Sequence, residues 1–257
     1  MAAKPECPTK YDRLYDGFDG LCILWRFDVV HDELQLKQVG PYIEYHDSRL
    51  TEGITYNPAN NSLLWVDIIK GEINRVFLKD DLSYSERESH KVDASLGVIG
   101  LTSDPDIYIC GASSGVGQFN FSTKEFKLIA KYPAEFHDKE KFGKTMRSND
   151  GAIDSNGDFW VGTMANFDEE VTPVGRLYKY DSKTLKEEVI IKDVAISNGI
   201  NWFGDYMYWT SSLEYRIYRF KYDYKSGSID PSTKEVFVDI PKIFHDRPQY
   251  HKGEPDG

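Results

Sequence analysis

The chain has 257 residues with a formal net charge of −11, and aromatic residues make up 14% of it. This length suits a single all-β domain with a substantial core, and the abundant aromatic residues and glycines are typical of many short strands joined by tight turns. The acidic balance argues against a nucleic-acid partner, because contacts to phosphates need Lys and Arg.

The cysteines and the first residues indicate a cytoplasmic protein. Cys7, Cys22 and Cys110 are odd in number and irregularly spaced, which predicts reduced thiols rather than a disulfide framework. The polar residues 1–10 do not resemble a secretory signal, and no apolar run reaches the length of a membrane span. We therefore expect no membrane partner.

Strand patterns recur along the chain, each opening after a turn of Asn, Asp, Gly or Pro residues. Four predicted units share this pattern, and their central strands lie at residues 62–67, 107–110, 159–162 and 206–210. Aligned on Trp65, Ile109, Trp160 and Trp209, the units repeat every 44 to 51 residues or so, which is the length of a four-stranded propeller blade. A β-sandwich would not explain so regular a repeat. The polar stretch from Ala134 to Lys144 is predicted to form at most one turn of helix.

Polar residues stand at one phase of this repeat, about 11 to 13 residues before the aligned position, where the innermost strand of a blade begins. They are Glu52, Asn149 and Asn198, and Asp256 begins a fifth instance; each lies just before a Gly or an Asp-Gly pair. The second repeat has Val98-Ile99-Gly100 there. Since innermost strands surround the axis of a propeller, these four side chains are expected to converge.

Two interpretations of this cluster remain open from the residues alone. Asn-Gly and Asp-Gly are ordinary turn signals. Alternatively, two carboxylates and two amides at one point would form an oxygen-ligand site that suits Ca²⁺, Mg²⁺ or Mn²⁺; Zn²⁺ is possible but less natural without His or Cys.

Three other signals are interpreted as structural. The segment Gly111–Gly115 fits the pattern G-x-S-x-G, but strands are predicted on both sides of it, whereas a nucleophile elbow needs a following helix. His245, His251 and Glu254 have no standard zinc spacing and are expected in a loop near the channel mouth. Asp150 is expected to brace its own turn, and Asp154 is expected in a hairpin turn.

The residues resemble the SMP-30/gluconolactonase/regucalcin-like family from about Leu50 to Gly257. Arg147 to Met164 resembles that family's R-x-N-D-G-x-x-D-x-x-G-x-x-W-x-G-T-M signature, and three shorter segments resemble its other motifs. These are Glu52-Gly53 with Asn61–Ile68, Ile196–Trp202, and Glu254–Gly257.

This resemblance implies a six-bladed all-β propeller with one divalent metal ion, most naturally Ca²⁺, at the mouth of its channel. By position, Glu52, Asn198 and Asp256 would bind the metal, and Arg147 and Asn149 would hold a small-molecule substrate, a sugar-type lactone. The metal would polarise the lactone carbonyl, and Asp256 would orient or deprotonate the attacking water; a metal-generated hydroxide is the competing account. A propeller that binds a metabolite or protein without catalysis, and a phosphotriesterase-like hydrolase, are the alternatives.

The sequence departs from the family pattern in two places and in length. Animal members of the family have an acidic run after Gly-Thr-Met, and this chain has Ala165-Asn166-Phe167 in its place. In the fourth unit, Ser211 replaces an acid. Residues 47–257 are predicted to supply about four blades and the start of a fifth. Residues 1–46 form a predicted N-terminal extension whose strands could close the last blade. We therefore expect the chain to be part of a longer propeller.

Overall fold

The structure is a computed structural model that describes residues 14–17, 21–30, 33–81, 83–137, 140, 145–243, 245–246 and 253–257. Side chains are described from residue 43 onward, except those of residues 136 and 137. No helix in these ranges is long and apolar enough to span a membrane.

Antiparallel strands dominate, and the first three form a sheet of their own. They are β1 (Leu14–Gly17), β2 (Leu21–Val30) and β3 (Glu33–Glu44), hydrogen-bonded in that order. The prediction that this segment closes the last blade stays a prediction.

Four further antiparallel sheets follow among the described residues, and in the first three of them consecutive strands are neighbours. Blade 1 contains β4 (Thr51–Asn57), β5 (Ser62–Asp67), β6 (Glu72–Phe77) and β7 (Glu88–Lys91). Blade 2 contains β8 (Leu96–Leu101), β9 (Ile107–Ala112), β10 (Gly115–Asn120) and β11 (Glu125–Lys131). Blade 3 contains β12 (Met146–Ile153), β13 (Phe159–Ala165), β14 (Gly175–Tyr180) and β15 (Glu187–Val194).

Blade 4 contains β16 (Ser197–Phe203), β17 (Tyr206–Ser211), β18 (Arg216–Asp223) and β20 (Glu235–Asp239), with the short β19 (Ser228–Ile229) paired to the end of β18. Helical elements found among the described residues include α1 (Ala134–His137), α2 (Ile240–Ile243) and the 3₁₀ turns Ser212–Glu214 and Pro231–Thr233. A turn of helix was predicted within Ala134 to Lys144, and it is confirmed at the start of that stretch, Ala134–His137. Residues 253–257 are not part of a strand.

The core lies between the blades, because the central strands are covered on both faces. In β5 the alternating side chains serve two clusters: Leu64 and Val66 pack towards blade 2, while Leu63 and Trp65 pack with Ile43. A strand buried on both faces reads as a continuous apolar run, as β5 does.

The predicted alignment is confirmed, since Trp65, Ile109, Trp160 and Trp209 each lie on the second strand of their blade. The innermost strands β4, β8, β12 and β16 contact one another in that order. The all-β propeller architecture is thus confirmed with four blades in the described residues, and the count of six stays a prediction.

Candidate metal and substrate site

All four innermost strands carry a β-bulge at the same phase. Their pairing with the second strand of the blade slips between Glu52/Thr55, Leu96/Val98, Ser148/Gly151 and Asn198/Ile200. A bulge leaves residues unpaired and re-aims their side chains, which is why bulges are common beside functional sites. Glu52, Asn149 and Asn198 all lie at these bulges, so the polar residues that sequence phase grouped share one backbone irregularity.

Glycine makes two of these bulges possible. Gly53 and Gly199 have φ values of 64° and 33°, in the left-handed region that other residues rarely adopt. A Cβ at Gly199 would lie 2.7 Å from the carbonyl oxygen of Asp256 and 2.5 Å from Thr210 Oγ1. The glycine therefore lets the segment that carries Asp256 approach the innermost strand of blade 4.

Asn149 and Asn198 join the innermost strands of blades 3 and 4. Asn149 Nδ2 donates to Asn198 Oδ1 at 2.7 Å and to the carbonyl of Ser197 at 3.1 Å. Arg147 Nη1 donates to Asn149 Oδ1 at 2.9 Å and to the carbonyl of Ser148 at 2.9 Å. Both amides are therefore held in fixed orientations by their neighbours.

Ser212 links Asn198 to the segment that carries Asp256. Its buried hydroxyl accepts a hydrogen bond from Asn198 Nδ2 at 2.8 Å and donates one to the carbonyl of Pro255 at 2.7 Å. The amide nitrogen of Asn198 is thereby turned towards Ser212, which leaves its oxygen on the side of Asn149. Sequence reasoning did not single out Ser212, because nothing local to it signals a contact 43 residues away.

Glu52 interacts with this network through charge. Burial lowers the pKa of Arg147 to about 10, and the negative charge of Glu52 acts in the opposite direction. Glu52 itself is half-buried, on the innermost strand of blade 1. Strands β4 and β12 also contact each other, so the strand that carries Glu52 lies beside the strand that carries Arg147 and Asn149.

Two carboxyl groups, those of Asp150 and Asp256, lie near each other beside Gly199. The pKa of Asp150 is raised to about 6, chiefly by loss of hydration; the charge of Asp256 also raises it, while backbone N–H groups of Gly151 and Gly199 lower it. The pKa of Asp256 is also raised, chiefly by loss of hydration. Asp150 does brace its own turn, since it accepts from Gly151 N at 2.7 Å, but it also faces Asp256.

The structure thus brings the predicted residues together in different ways. Asn149 and Asn198 are in direct contact, Asp256 is tied in through Pro255 and Ser212, and Glu52 is coupled through Arg147. Within the described ranges, no three His, Cys, Asp or Glu side chains are grouped closely enough to hold a metal ion. The predicted ligand set has only two carboxylates, Glu52 and Asp256, and its third member is the amide of Asn198.

The loop after β13 shows what replaces the family's acidic run. Phe167 is half exposed and lies against Arg147, whose guanidinium carbon is 4.1 Å from the ring centroid. Glu169 is turned to the backbone of Thr145, whose N–H donates to Oε1 at 3.2 Å. Ser211, in place of the other acid, is buried at the end of β17.

The structural interpretations of the other motifs are confirmed where they are described. Gly111–Gly115 spans the hairpin between β9 and β10. Asp154 Oδ1 accepts from two N–H groups of its hairpin turn, those of Asn156 and Asp158. Its Oδ2 also accepts from Trp160 Nε1, at 2.9 Å, and from the Tyr222 hydroxyl, at 2.7 Å.

The remaining candidates are loop residues or lie outside the described part of the chain. His245 and Glu254 are exposed, and His251 lies outside the described residues. Among the cysteines, Cys110 is a buried free thiol whose pKa is raised by burial. Cys7 lies outside the described residues, and the side chain of Cys22 is not described.

The described residues form four blades, and polar side chains lie at the bulges of their innermost strands. The protein is therefore a β-propeller with a candidate site near its axis. The sequence profile of the SMP-30/Gluconolactonase/LRE-like region matches residues 50–257. The chain therefore belongs to this family, as its motifs indicated. The family includes lactonases and regucalcins.

Named relatives include proteins of different descriptions. The cell growth-regulated gene 1 protein of Candida albicans is 39% identical over 227 residues, covering 81% of this chain and 65% of that protein. Regucalcin of Bos taurus is 31% identical over 186 residues, covering 69% and 57%. L-arabinolactonase of Azospirillum brasilense is 27% identical over 197 residues, covering 75% and 61%.

Solved structures agree on the fold. The calcium-binding protein regucalcin from Agrobacterium tumefaciens superposes with a TM-score of 0.62 at 24% identity, covering 74% of this chain and 59% of that chain. A luciferin-regenerating enzyme gives a TM-score of 0.65 at 24% identity, covering 81% and 64%. The chain spans about three fifths to two thirds of the length of these relatives.

Proposed function

We propose that the protein is a metal-dependent hydrolase that opens a lactone, and that a six-bladed ring surrounds its site. The observation that carries this proposal is the hydrogen-bonded path from Asn149 through Asn198 and Ser212 to the segment of Asp256. It unites polar groups from separate parts of the chain at one end of the innermost strands, where a fold of this kind binds its ligands.

The donor set fits a hard divalent cation. Glu52 and Asp256 supply carboxylate oxygens and Asn198 supplies an amide oxygen, which is the chemistry that Ca²⁺ prefers. Asn198 Oδ1 accepts one hydrogen bond, from Asn149, and a carbonyl oxygen has two lone pairs. The proximity of Asp150 and Asp256 also favours a cation there, because two like charges repel without one.

When bound, the metal would supply Lewis-acid polarisation of the substrate carbonyl. The chain's own residues would do the rest. Asn149 would accept a hydrogen bond from the substrate at the second lone pair of its Oδ1, because both of its amide hydrogens already donate to Asn198 and Ser197. Arg147 would hold the substrate through Asn149, whose oxygen it already orients. Asp256 would orient the attacking water and accept its proton, since a carboxylate held beside the reacting water can act as a general base.

The test is hydrolysis of a panel of lactones, followed by pH-stat after chelation and restoration of Ca²⁺, Mn²⁺, Mg²⁺ or Zn²⁺. Aryl phosphotriesters belong in the same panel. We expect metal-dependent lactone hydrolysis that Asn198→Ala abolishes and the distant Asn156→Ala does not. Preferred turnover of the phosphotriesters would favour the phosphotriesterase alternative. Metal binding without any turnover would favour a binding propeller, and the absence of metal binding would refute the site.

A further inference from the structure

Apolar as well as polar side chains lie at the end of the blades that carries the candidate site. In each blade, the loop between the second and third strands lies at the same end as Glu52, Asn149 and Asn198, since the second strand runs antiparallel to the innermost one. These loops carry four of the large hydrophobic side chains that the structure leaves exposed, namely Ile69, Phe167, Val171 and Leu213. Exposed apolar side chains at the end of the fold that also carries a polar site are candidates for a ligand surface.

Phe167 is the member of this group that touches the site. The pairing of β12 with β13 sets Arg147 opposite Met164, so the loop that follows Ala165 begins beside the start of β12. Asn166 N donates to the carbonyl of Thr145 at 2.9 Å, which anchors the loop there. The ring of Phe167 then covers the guanidinium of Arg147, while about half of the side chain, 49%, stays exposed.

The same loop ties one of its acids, Glu169, to Thr145 at the start of blade 3. Glu169 Oε1 accepts from both the N–H and the hydroxyl of Thr145, at 3.2 and 3.3 Å. One of the two carboxylate oxygens of Glu169 is therefore occupied by Thr145. Arg147 is only 3% exposed, so the N–H groups of its guanidinium are covered as well.

We infer that Phe167 determines specificity by forming an apolar wall over the site, so that the preferred substrate is a lactone bearing an alkyl chain rather than a polyhydroxylated sugar lactone. This inference rests on the proposed function for its reaction. An alkyl chain laid on the exposed face of the ring loses contact with water, and such transfer strengthens binding with each added methylene. A ring bearing several hydroxyl groups would lose hydrogen bonds to water there without recovering them from Phe167.

The experiment uses two ligands that cannot be hydrolysed, so that it does not depend on turnover. A δ-lactam with a pentyl chain and the polyhydroxylated glucono-δ-lactam are titrated into the calcium-loaded protein, and binding is followed by ligand-observed NMR. The variant is Phe167→Gln, with Phe167→Leu as the conservative change. The matched control is Phe203→Gln, because Phe203 is 77% exposed at the opposite end of an innermost strand.

We expect the pentyl lactam to bind at least about ten-fold more tightly than the hydroxylated lactam, as several buried methylenes imply. Phe167→Gln should remove most of this preference, Phe167→Leu should keep most of it, and Phe203→Gln should not change it. Equal or tighter binding of the hydroxylated lactam, or no binding of either, would overturn the inference. If the lactams bound with this preference but no lactone were hydrolysed, the inference about Phe167 would hold and the proposed lactonase activity would be refuted.

Discussion

Replacing Ser212 by Ala is the sharpest perturbation of the candidate site. The change deletes one hydroxyl that accepts from Asn198 Nδ2 and donates to the carbonyl of Pro255. Each lost hydrogen bond is worth about 1 kcal/mol net, and the amide nitrogen of buried Asn198 is left without its partner. We therefore expect unfolding to become easier by about 2 kcal/mol, which lowers Tm by about 4 to 8 °C in a chain of this size.

The larger expected effect is on metal binding. Without Ser212, the amide of Asn198 can rotate and the segment of Asp256 loses its tether, so two of the three proposed ligands lose their orientation. Removing the partner that orients a ligand typically costs about 10- to 100-fold in metal affinity. Isothermal titration with Ca²⁺ measures this loss directly, in the folded protein at a temperature well below Tm.

Ser211→Ala is the matched control. Ser211 is the adjacent residue, equally buried at 3% against 2%, and no side-chain cap hydrogen bond forms from it. We expect this variant to bind Ca²⁺ as the unmodified protein does. If Ser212→Ala and Ser211→Ala gave the same affinity and the same Tm, the proposed link between Asn198 and Asp256 would be refuted.

Three further predictions concern stability. Asp154→Ala should destabilise the fold by about 3 kcal/mol in urea denaturation, because it removes the buried acceptor shared by Trp160 and Tyr222; a loss below about 1 kcal/mol would contradict this. Hydrogen bonds from Arg75 and Ser122 hold the pKa of Asp106 below its usual range, so this group stabilises the fold above about pH 4 and loses its effect as pH falls through the lowered pKa. Asp106→Asn should therefore cost up to about 1 kcal/mol at pH 7, and a cost that persisted unchanged at pH 2 would refute the pairing. Finally, free Ca²⁺ at 100 times its Kd should stabilise the protein by about 2.7 kcal/mol in thermal scans, and chelation should reverse this; an unchanged Tm would speak against the metal site.

The architecture was predictable from sequence because its signals are local and repeated. Each hairpin has its own turn residues, and each central strand has its own apolar run, so the four units could be aligned on residues such as Trp160 and Trp209. The same repetition gave the phase of Glu52, Asn149 and Asn198, since residues at equal phase in a propeller meet near its axis.

The bulges and the contacts between blades could not be predicted in this way. Asn198-Gly199 reads locally as a turn, yet it lies inside β16, where Gly199 forms a bulge instead. The roles of Ser212 and Phe167 depend on distant partners or on a loop path, and neither is encoded in a local pattern. Departures from the family motif were visible at residues 165–167, but only the structure indicates that an aromatic ring lies over Arg147.

The measurement that tests the central claim most directly is a crystal structure of the protein grown with Mn²⁺ or Ca²⁺, with the ion located by its anomalous scattering. The account predicts one ion per chain, with oxygen atoms of Glu52, Asn198 and Asp256 at about 2.3 to 2.6 Å for Ca²⁺. An ion bound by other residues, or none at saturating metal, would contradict it.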